Sequence, residues 1–423
     1  MYNVQICLFL IILLGASSFA QELGNITIYN SANSELTYNT IRCLEFDDSE
    51  RLWIGTETGL NVFNESNNSW INIDVNQLKS NIITALEWDT FNENPSMFIG
   101  TINGVKNVWW DNYEFESNIE QWTWDHNFGN NCEPNNGVIN TILHNNNSDQ
   151  IWAGSTDGLC IEDLGAEGSW FIQNTKNGFY SNNITSIDQN INNNMIGIGT
   201  MNGGLVTYQN EFNIYYSSNS DILDNSVLDV VFDQNNNIII CTPQAGLGVL
   251  TESGSWIWFN TINSDLPTNS LNNIAVDNNN DLWITTLENG LIHYTNNNFY
   301  HYNTTNSGIP DNSINCLKFG PNNNLWLGTE TQGLVKINIA EISIDQQENE
   351  LPKIWPSIFH NTVNIQIDQS STVYLVNLNG EIIDNYKFND GVNIINTAIY
   401  NSGFYLLIIE SNNNRSIRKL IKP

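Results

Sequence analysis

The chain of 423 residues carries 45 acidic and 13 basic side chains, which gives it a formal net charge of −32 at pH 7. This charge repels phosphate backbones and anionic lipid headgroups, so neither nucleic acid nor a membrane surface is expected as a partner. The content of hydrophobic residues, 40%, and of aromatic residues, 11%, is too high for a disordered acidic chain.

The first predicted element is a signal peptide in residues 1–20. The apolar run from Ile6 to Leu14 is too short to span a bilayer, and Ser18-Phe19-Ala20 supplies the small residues of a cleavage site. The segment has no Lys or Arg, so a buried N-terminal strand is the alternative interpretation. Later stretches do not approach 18 apolar residues, and we therefore expect no membrane span in the mature chain.

Residues 21–342 contain seven copies of one sequence unit. In each copy a short apolar segment ends in a hydroxyl residue, and Gly follows three or four positions later. The hydroxyl residues are Thr56, Thr101, Ser155, Thr200, Thr242, Thr286 and Thr329. Four short strands separated by Asn- and Asp-rich turns, in a unit of about 43 residues, are typical of a propeller blade. The sequence therefore predicts an all-β, seven-bladed β-propeller.

The two ends of this region complement each other. The last copy begins at Ile314 and lacks the aromatic fourth segment of the other copies. The N-terminal segment NITIYNSANSELTYNTI (25–41) is similar to the ends of other units, such as FNTINSDLPTNSL (259–271). We therefore expect the N-terminal segment to supply the fourth strand of the seventh blade and so to pair the open edges of the ring.

The cysteines match no metal or redox motif. Cys43 and Cys316 occupy the same place in two copies of the repeat, and the expected ring closure would make these two copies neighbours. A disulfide between them is one alternative. Buried free thiols are the favoured interpretation for Cys43, Cys316 and the other cysteines of the mature chain.

A polar linker, residues 343–352, separates the repeats from residues 353–423. The segments TVNIQI (362–367) and GFYLLIIE (403–410) have the composition of strands, and Asn379-Gly380 indicates a hairpin turn. We predict a small C-terminal β-sandwich. The repeats hold 37 acidic and 7 basic residues, whereas residues 343–423 hold 8 and 6, so the acidity belongs to the propeller.

The repeats resemble the two-component regulator propeller family, whose motif is D-x-x-G-x-L-W-[IV]-G-T-x-x-G-L. The resemblance is strongest in LWIGTETGL (52–60), LWITTLENGL (282–291) and LWLGTETQGL (325–334). Cys241 and Thr285 depart from the motif glycine. The resemblance implies a periplasmic sensing domain or a secreted protein. Signalling by phosphorelay is not implied, because the chain has no segment similar to a kinase.

The C-terminal segment resembles the type A sorting domain of the type IX secretion system of Bacteroidetes. The likeness rests on IWPSIFHNTVNI (354–365), VYLVNLNGEII (373–383) and SGFYLLIIE (402–410). It implies export through the periplasm of a Gram-negative bacterium to the cell surface or outside, with the secretion machinery as partner. The basic end, Arg418, Lys419 and Lys422, corresponds to the sorting signal. An accessory carbohydrate-binding or adhesive sandwich is the alternative.

Two groups of residues are candidates for ligand binding. Loops that follow the hydroxyl residues contribute the carboxylates Glu57, Asp157, Glu288 and Glu330, which we expect at one face around the central channel. The longer second unit contributes Trp109, Trp110 and Tyr113, an aromatic patch suited to stacking on sugar rings. A solvated acidic rim and packing between blades are the respective alternatives.

We assign no catalytic residues, metal ligands or cofactor, because the sequence lacks nucleophile elbows, phosphate loops and zinc motifs. His293 and His301 are interpreted as surface residues, and calcium stays an alternative without a visible convergent set of oxygens. We favour a non-catalytic cell-surface binding protein that recognises a glycan or a protein. One alternative is a polysaccharide lyase or hydrolase, which requires His126 or His144 to face the channel. The other is a component of the type IX export machinery.

Overall fold

The computed structural model describes residues 23–73, 78, 80–89, 96–109, 123–125, 137–145, 147–163, 169–339, 353–355, 361–367, 369–377, 382–401, 403–411 and 414–422. Within these ranges the regular elements are β-strands. The chain divides into two compact units, Met1–Ile342 and Ser343–Pro423.

The described part of the first unit forms seven four-stranded antiparallel sheets, which we call blades 1 to 7. Blade 1 consists of β2 (Ile41–Phe46), β3 (Leu52–Thr56), β4 (Leu60–Asn64) and β5 (Ser69–Ile73). Blade 2 consists of β6 (Ile83–Asp89), β7 (Ser96–Thr101), β8 (Gly104–Trp109) and β9 (Thr123–Asp125). Blade 3 consists of β10 (Ile139–Asn145), β11 (Gln150–Ser155), β12 (Gly158–Asp163) and β13 (Ser169–Gln173).

The next three sheets repeat the same order along the chain. Blade 4 consists of β14 (Ile184–Gln189), β15 (Ile196–Thr200), β16 (Gly204–Tyr208) and β17 (Phe212–Tyr215). Blade 5 consists of β18 (Asp229–Phe232), β19 (Ile238–Cys241), β20 (Leu247–Leu250) and β21 (Trp256–Phe259). Blade 6 consists of β22 (Ile274–Val276), β23 (Leu282–Thr285), β24 (Leu291–Thr295) and β25 (Asn298–Tyr302). The first strand of each blade contacts the first strand of the next.

Blade 7 combines the two ends of the unit. Its strands are β26 (Ile314–Phe319), β27 (Leu325–Thr329), β28 (Leu334–Ile337) and, as the fourth, the N-terminal β1 (Ile26–Tyr29). The antiparallel register runs from Ile26 opposite Ile337 to Tyr29 opposite Leu334. The expected strand exchange is therefore confirmed, and β26 contacts β2 to complete the circle of first strands.

Apolar side chains fill the spaces between blades. The tryptophans of four second strands, Trp53, Trp152, Trp283 and Trp326, are at most 2% exposed. Residues of adjacent blades share clusters; for example, Trp53 of blade 1 packs in one cluster with Ile83 and Met97 of blade 2. Each blade thus buries its faces against its neighbours, which confirms the predicted propeller architecture.

The repeated hydroxyl residue closes the turn between the second and third strands. In all seven blades its hydroxyl donates to the carbonyl oxygen of the glycine that follows, at 2.7 to 2.9 Å. These glycines have positive φ angles, such as +86° at Gly290. The recurring Thr/Ser-to-Gly spacing of the sequence therefore corresponds to the same turn, which occurs once in each of the seven blades.

Many of the 76 asparagines stabilise a second recurring loop, which joins the fourth strand of one blade to the first strand of the next. In the loop after β21, Asn263 Oδ1 accepts the Asn260 N–H at 2.9 Å, and Asn263 Nδ2 donates to the Trp258 carbonyl at 2.9 Å. Asn269 Oδ1 accepts the Thr261 N–H at 2.8 Å. The same bonds recur in residues 30–39, 174–182, 216–225 and 303–312. The asparagine excess therefore has a structural cause.

The second unit is a two-sheet sandwich, as predicted. One sheet has the order β29 (Lys353–Trp355), β30 (Thr362–Ile367), β33 (Gly391–Asn396), and the other has the order β32 (Ile382–Phe388), β31 (Ser371–Asn377), β34 (Gly403–Ser411), β35 (Asn414–Lys422). Val363 and Ile365 of the first sheet share a core with Val373, Leu375 and Leu407 of the second. The predicted Asn379-Gly380 turn lies outside the described residues, between strands that pair antiparallel.

The cysteines differ in part from expectation. Cys43, Cys241 and Cys316 are free thiols, and burial raises the pKa of each. Cys43 and Cys316 do not form a disulfide, and each sulfur packs against the glycine opposite it in its own blade, Gly55 or Gly328. Cys160 is disulfide-bonded, which corrects the interpretation of all five as free thiols.

Replacing the turn glycine by alanine tests the role of this turn. In Gly290→Ala the new Cβ overlaps the carbonyl oxygen of Tyr302 at a φ of +86°, whereas at Gly254, with a φ of +83°, a Cβ meets open space. Backbone strain alone costs about 1 kcal/mol, so we expect Gly254→Ala to lose about that amount and Gly290→Ala about 3 kcal/mol or more. Urea unfolding of both variants measures the difference; equal losses would contradict the proposed overlap.

Candidate functional site: the central channel

The first strands of the blades line a central cavity of about 480 Å³. In each blade the first strand begins beside the turn between strands two and three, since Ile41 is opposite Thr56 in blade 1. The cavity is lined near this end of the first strands by amide and hydroxyl side chains together with about as many apolar ones. The polar side chains are the ones that could contact a ligand through hydrogen bonds. They include Asn140, Asn183, Thr185, Asn272, Asn273 and Asn315.

Several of these polar side chains connect one blade to the next. The donor is the second residue of the first strand or, for Asn272, a residue two positions before β22. The acceptor is a carbonyl oxygen at or just before the start of the first strand of the following blade. The bonds are Asn140 Nδ2 to Ile184 O at 2.7 Å, Thr185 Oγ1 to Val227 O at 2.5 Å, Asn272 Nδ2 to Ile314 O at 3.1 Å and Asn315 Nδ2 to Ile41 O at 3.1 Å. In these bonds each asparagine uses its side-chain N–H group as the donor. Its side-chain oxygen takes no part in the bond between blades.

Carboxylates make a second set of bonds between blades. The first strand is an edge strand, so some of its N–H groups lack a partner within the sheet. Glu87 accepts the His144 N–H at 2.9 Å, Asp188 accepts the Phe232 N–H at 3.1 Å, and Asp229 accepts the Ile274 N–H at 2.9 Å. Each carboxylate thereby fastens its own blade to the edge of the following one.

These carboxylates have unusual proton affinities. Burial raises the pKa of Glu87 to about 8, and the negative charge of Glu45 adds to this effect. Burial also raises the pKa of Asp229 to about 7 and that of Asp188 to about 6, although backbone N–H donors oppose the shift in both. Glu87, Asp188 and Asp229 therefore lose their protons close to neutral pH.

Lys318 supplies positive charge to the same group. Its Nζ lies 2.6 Å from Glu45 Oε2, across the junction of blades 7 and 1. Burial lowers the pKa of Lys318, but the charges of Glu45 and Glu87 outweigh burial and raise it overall. The side chain of Lys318 is 41% exposed. One ammonium thus faces several carboxylates.

Two of the predicted loop carboxylates contact residues that line the cavity. Glu57 forms an ion pair with Arg42, and Glu330 Oε2 accepts a hydrogen bond from Asn315 Nδ2 at 2.7 Å. Asp157 and Glu288 are exposed on equivalent loops, and the structure gives neither a contact with Glu57 or Glu330. The four carboxylates therefore do not form one described cluster.

The predicted aromatic patch is described only in part. Trp109 ends strand β8 and is half-buried. Trp110 and Tyr113 lie outside the described residues. The patch stays a prediction.

The histidines are more buried than the sequence indicated. His144 is 2% exposed, with Nδ1 3.1 Å from Asp89 Oδ1 and Nε2 3.5 Å from Asp149 Oδ1. His144 is not among the residues that line the cavity. The lyase or hydrolase alternative requires a histidine that faces the cavity. His126, the other candidate, lies outside the described residues.

His293 was misplaced by sequence reasoning, since it is only 5% exposed. It lies with Asp277 and Asp281 in a group whose ligand atoms are all within 4.8 Å of one another, and which could hold a metal ion. Burial lowers the pKa of His293, and Asp281 opposes this shift. Sequence analysis missed the group because the two aspartates and the histidine are on different strands or turns, and only the pairing of β23 with β24 joins them.

In the second unit, the predicted sorting-signal residues lie on the final strand, β35. Lys422 is half-buried, and its Nζ donates to the carbonyl oxygens of Thr397 and Tyr400 at 2.6 Å and of Ala398 at 3.3 Å. Arg418 is half-buried, whereas the side chain of Lys419 lies outside what the structure describes. Lys422 thus ties the C-terminal strand to the loop after β33.

Comparison with known families now identifies the two parts of the chain. Residues 353–423 match the model of the secretion system C-terminal sorting domain, and residues 308–331 match that of the two component regulator propeller. The chain therefore resembles the regulator propeller repeat in residues 308–331 and the sorting domain in residues 353–423, and it shares the propeller fold with solved structures. The sorting domain indicates export by the type IX secretion system to the cell surface or outside.

Solved structures share the fold. The extracellular domain of the putative hybrid two component system BT3049 from B. thetaiotaomicron matches 95% of this chain with a TM-score of 0.59 and 18% identity. PorZ, an essential surface component of the type IX secretion system of Porphyromonas gingivalis, matches 91% with a TM-score of 0.52 and 14% identity. The chain spans 58% and 59% of the length of these two structures. No curated protein matches the sequence.

Within the part of the chain that the structure describes, we find no helical segment with the length and hydrophobicity needed to cross a bilayer.

The raised pKa values predict a pH dependence of stability. Glu87, with a pKa of about 8, and Asp229, with a pKa of about 7, hold protons that the unfolded chain has already released above about pH 6. Stability therefore falls as the pH rises from about 5 to about 8 and then levels off, and the loss should be at least about 1 kcal/mol after allowance for water in the channel. Urea unfolding across this range measures the slope. Glu87→Gln with Asp229→Asn should flatten it, and Glu65→Gln, an exposed control, should not.

The contacts of Lys422 predict its contribution to the second unit. Lys422→Met leaves three carbonyl oxygens without their charged donor, so we expect a loss of about 1 to 3 kcal/mol in local stability. Hydrogen exchange of residues 397–411, followed by mass spectrometry, should become faster. Lys387→Met, at an exposed position of β32, is the control and should leave the exchange unchanged. Equal exchange in both variants would refute the role of Lys422.

Proposed function

We propose that this protein is an exported, non-catalytic binding protein whose propeller recognises a neutral glycan at the end of the channel where the first strands begin. The observation that carries the proposal is the lining of the cavity by amide and hydroxyl side chains. Such groups can both donate to and accept from sugar hydroxyls. The volume of about 480 Å³ is within the range of small-ligand sites.

The charge of the channel supports an uncharged ligand. Glu87 and Asp229 hold protons near neutral pH, but Glu45 and Asp188 still offset the ammonium of Lys318, so this group carries no excess positive charge. The repeats as a whole carry 37 acidic and 7 basic residues. Sulfated or uronic polysaccharides would be repelled unless divalent cations bridge the charges, so neutral glycans fit best and a basic protein is the alternative ligand.

The Arg42–Glu57 ion pair offers a place to test this proposal. Arg42 lines the cavity, and Glu57 belongs to an adjacent loop. Both side chains are substantially exposed, at 41% and 33%, so the pair contributes little to stability. Its polar atoms are therefore available to a ligand, and its removal leaves the fold intact.

A glycan array with the full-length protein, with and without calcium, is the first experiment. Binding of neutral glycans is expected, and the double variant Arg42→Gln/Glu57→Gln should weaken it by at least about tenfold, since charge-assisted hydrogen bonds contribute about 1.5 to 3 kcal/mol each. The matched control is Lys336→Gln/Glu65→Gln, which removes another ion pair of the propeller with no change in net charge.

Comparison of these variants also separates the two candidate sites. Loss of binding in Trp109→Ala/Trp110→Ala, with binding retained in Arg42→Gln/Glu57→Gln, would move the site to the aromatic patch and refute the channel. A full array without a neutral glycan hit would refute glycan recognition as a whole.

A second candidate function is a role in the export machinery. It is favoured by the shared fold with PorZ, which is described as an essential surface component of the type IX system, and by the sorting domain of this chain. Deletion of the gene distinguishes the two functions. Retention of other type IX cargo inside the deleted strain would support the export role, and normal secretion would exclude it.

A further inference from the structure

One group of side chains outside the channel is built like a metal site. Asp277 and Asp281 flank the turn between β22 and β23, and His293 lies on β24 directly opposite Trp283. Each of the three offers a ligand atom, and these atoms are within 4.8 Å of one another. His293 Nε2 is 3.4 Å from Asp281 Oδ2. Tetrahedral bonds of about 2.1 Å would separate two ligand atoms by about 3.4 Å.

The imidazole of His293 lacks a normal hydrogen-bond partner. Its side chain is 6% exposed, Nδ1 has no hydrogen bond with the described residues, and Nε2 has only the 3.4 Å approach of Asp281 Oδ2. A buried polar atom without a hydrogen bond lowers the stability of the folded state. The presence of such an atom in His293 therefore requires an explanation. The ring stacks on Trp283 with centroids 3.9 Å apart and planes inclined by 12°, which fixes its orientation.

The first aspartate is also held in place. Asp277 Oδ1 accepts backbone N–H groups of Asn279 at 2.8 Å and of Asp281 at 2.9 Å. Asp277 Oδ2 accepts the Trp283 Nε1–H at 3.3 Å and keeps a lone pair for a further partner. Trp283 thus supports two members of the group at once, as outer partners do around metal ligands.

Blade 1 shows how the same turn is stabilised without a metal. There Asp47 Oδ2 accepts Arg51 Nε–H at 2.7 Å and Trp53 Nε1–H at 2.9 Å. Asp281 occupies in blade 6 the position of Arg51, and His293 occupies the position of Val62, which is opposite Trp53. The guanidinium of blade 1 is therefore replaced by a second carboxylate together with a nitrogen ligand.

We propose that Asp277, Asp281 and His293 bind a divalent transition-metal ion of the zinc class. One imidazole nitrogen and two carboxylates form a three-residue ligand set that suits zinc better than calcium, which requires six to eight oxygens. The ion replaces the positive charge that Arg51 supplies in blade 1. The side chain of Asp281 is 23% exposed, so the ion has a path from solvent and one position open to water.

Metal analysis of the untagged full-length protein tests the proposal. After equilibration with Zn²⁺ and dialysis, we expect one zinc per chain, retained against excess Ca²⁺. The single variants Asp281→Arg and His293→Val each introduce the residue that blade 1 has at the same position, so each should fold. Each should bind zinc about 100-fold more weakly than the wild type or not at all. His301→Gln removes a histidine outside the group and should bind like the wild type.

The fold of each variant is checked by circular dichroism and thermal unfolding without metal. Zinc should raise the melting temperature of the wild type and of His301→Gln, and leave those of Asp281→Arg and His293→Val unchanged. Absence of stoichiometric zinc in the wild type would overturn the proposal. Undiminished binding in either blade-1 variant, or its loss in His301→Gln, would overturn it as well.

Discussion

The pairing of β1 with β28 is the interaction on which the rest of the first unit depends. Blades 1 to 6 are each made from consecutive strands, but blade 7 needs a fourth strand from residues 26–29. This pairing joins segments about three hundred positions apart, and it brings β26 against β2. The Lys318–Glu45 contact and the Asn315–Ile41 hydrogen bond lie at this junction. They exist because the ring is closed there.

Closure places seven edge strands around one axis, and the edges need hydrogen-bond partners. The chain meets this need with side chains: amides and hydroxyls donate to carbonyl oxygens at the start of the next blade, and carboxylates accept N–H groups further along. The same side chains make the cavity polar. Structural demand and the proposed ligand recognition would therefore use the same side chains, so a change of Asn140 or Asn272 for one purpose would affect the other. Arg42 and Glu57, which are outside this scheme, are better probes of binding.

Variation among blades is most informative where a repeated structural position changes its chemistry. The turn of blade 1 balances Asp47 with Arg51, whereas the corresponding turn of blade 6 has Asp277 and Asp281 beside His293. Since the backbone is the same, the difference in charge and ligand type stands out. Comparison of repeats within one chain thus points to a site that no short motif reveals.

The sequence by itself determined the propeller, the strand exchange, the tail sandwich and the structural use of asparagine. Each is encoded locally or by repetition: Thr286 and Gly290 define a turn, and Asn263 and Asn269 define a loop, whatever surrounds them. Only the tertiary structure decided which polar residues meet. Glu45 and Lys318 are 273 positions apart, and His293 reaches the two aspartates only through the register of β23 and β24. Burial of His293, the raised pKa of Glu87 and the free state of Cys43 likewise depend on neighbours from other strands, which periodicity cannot specify.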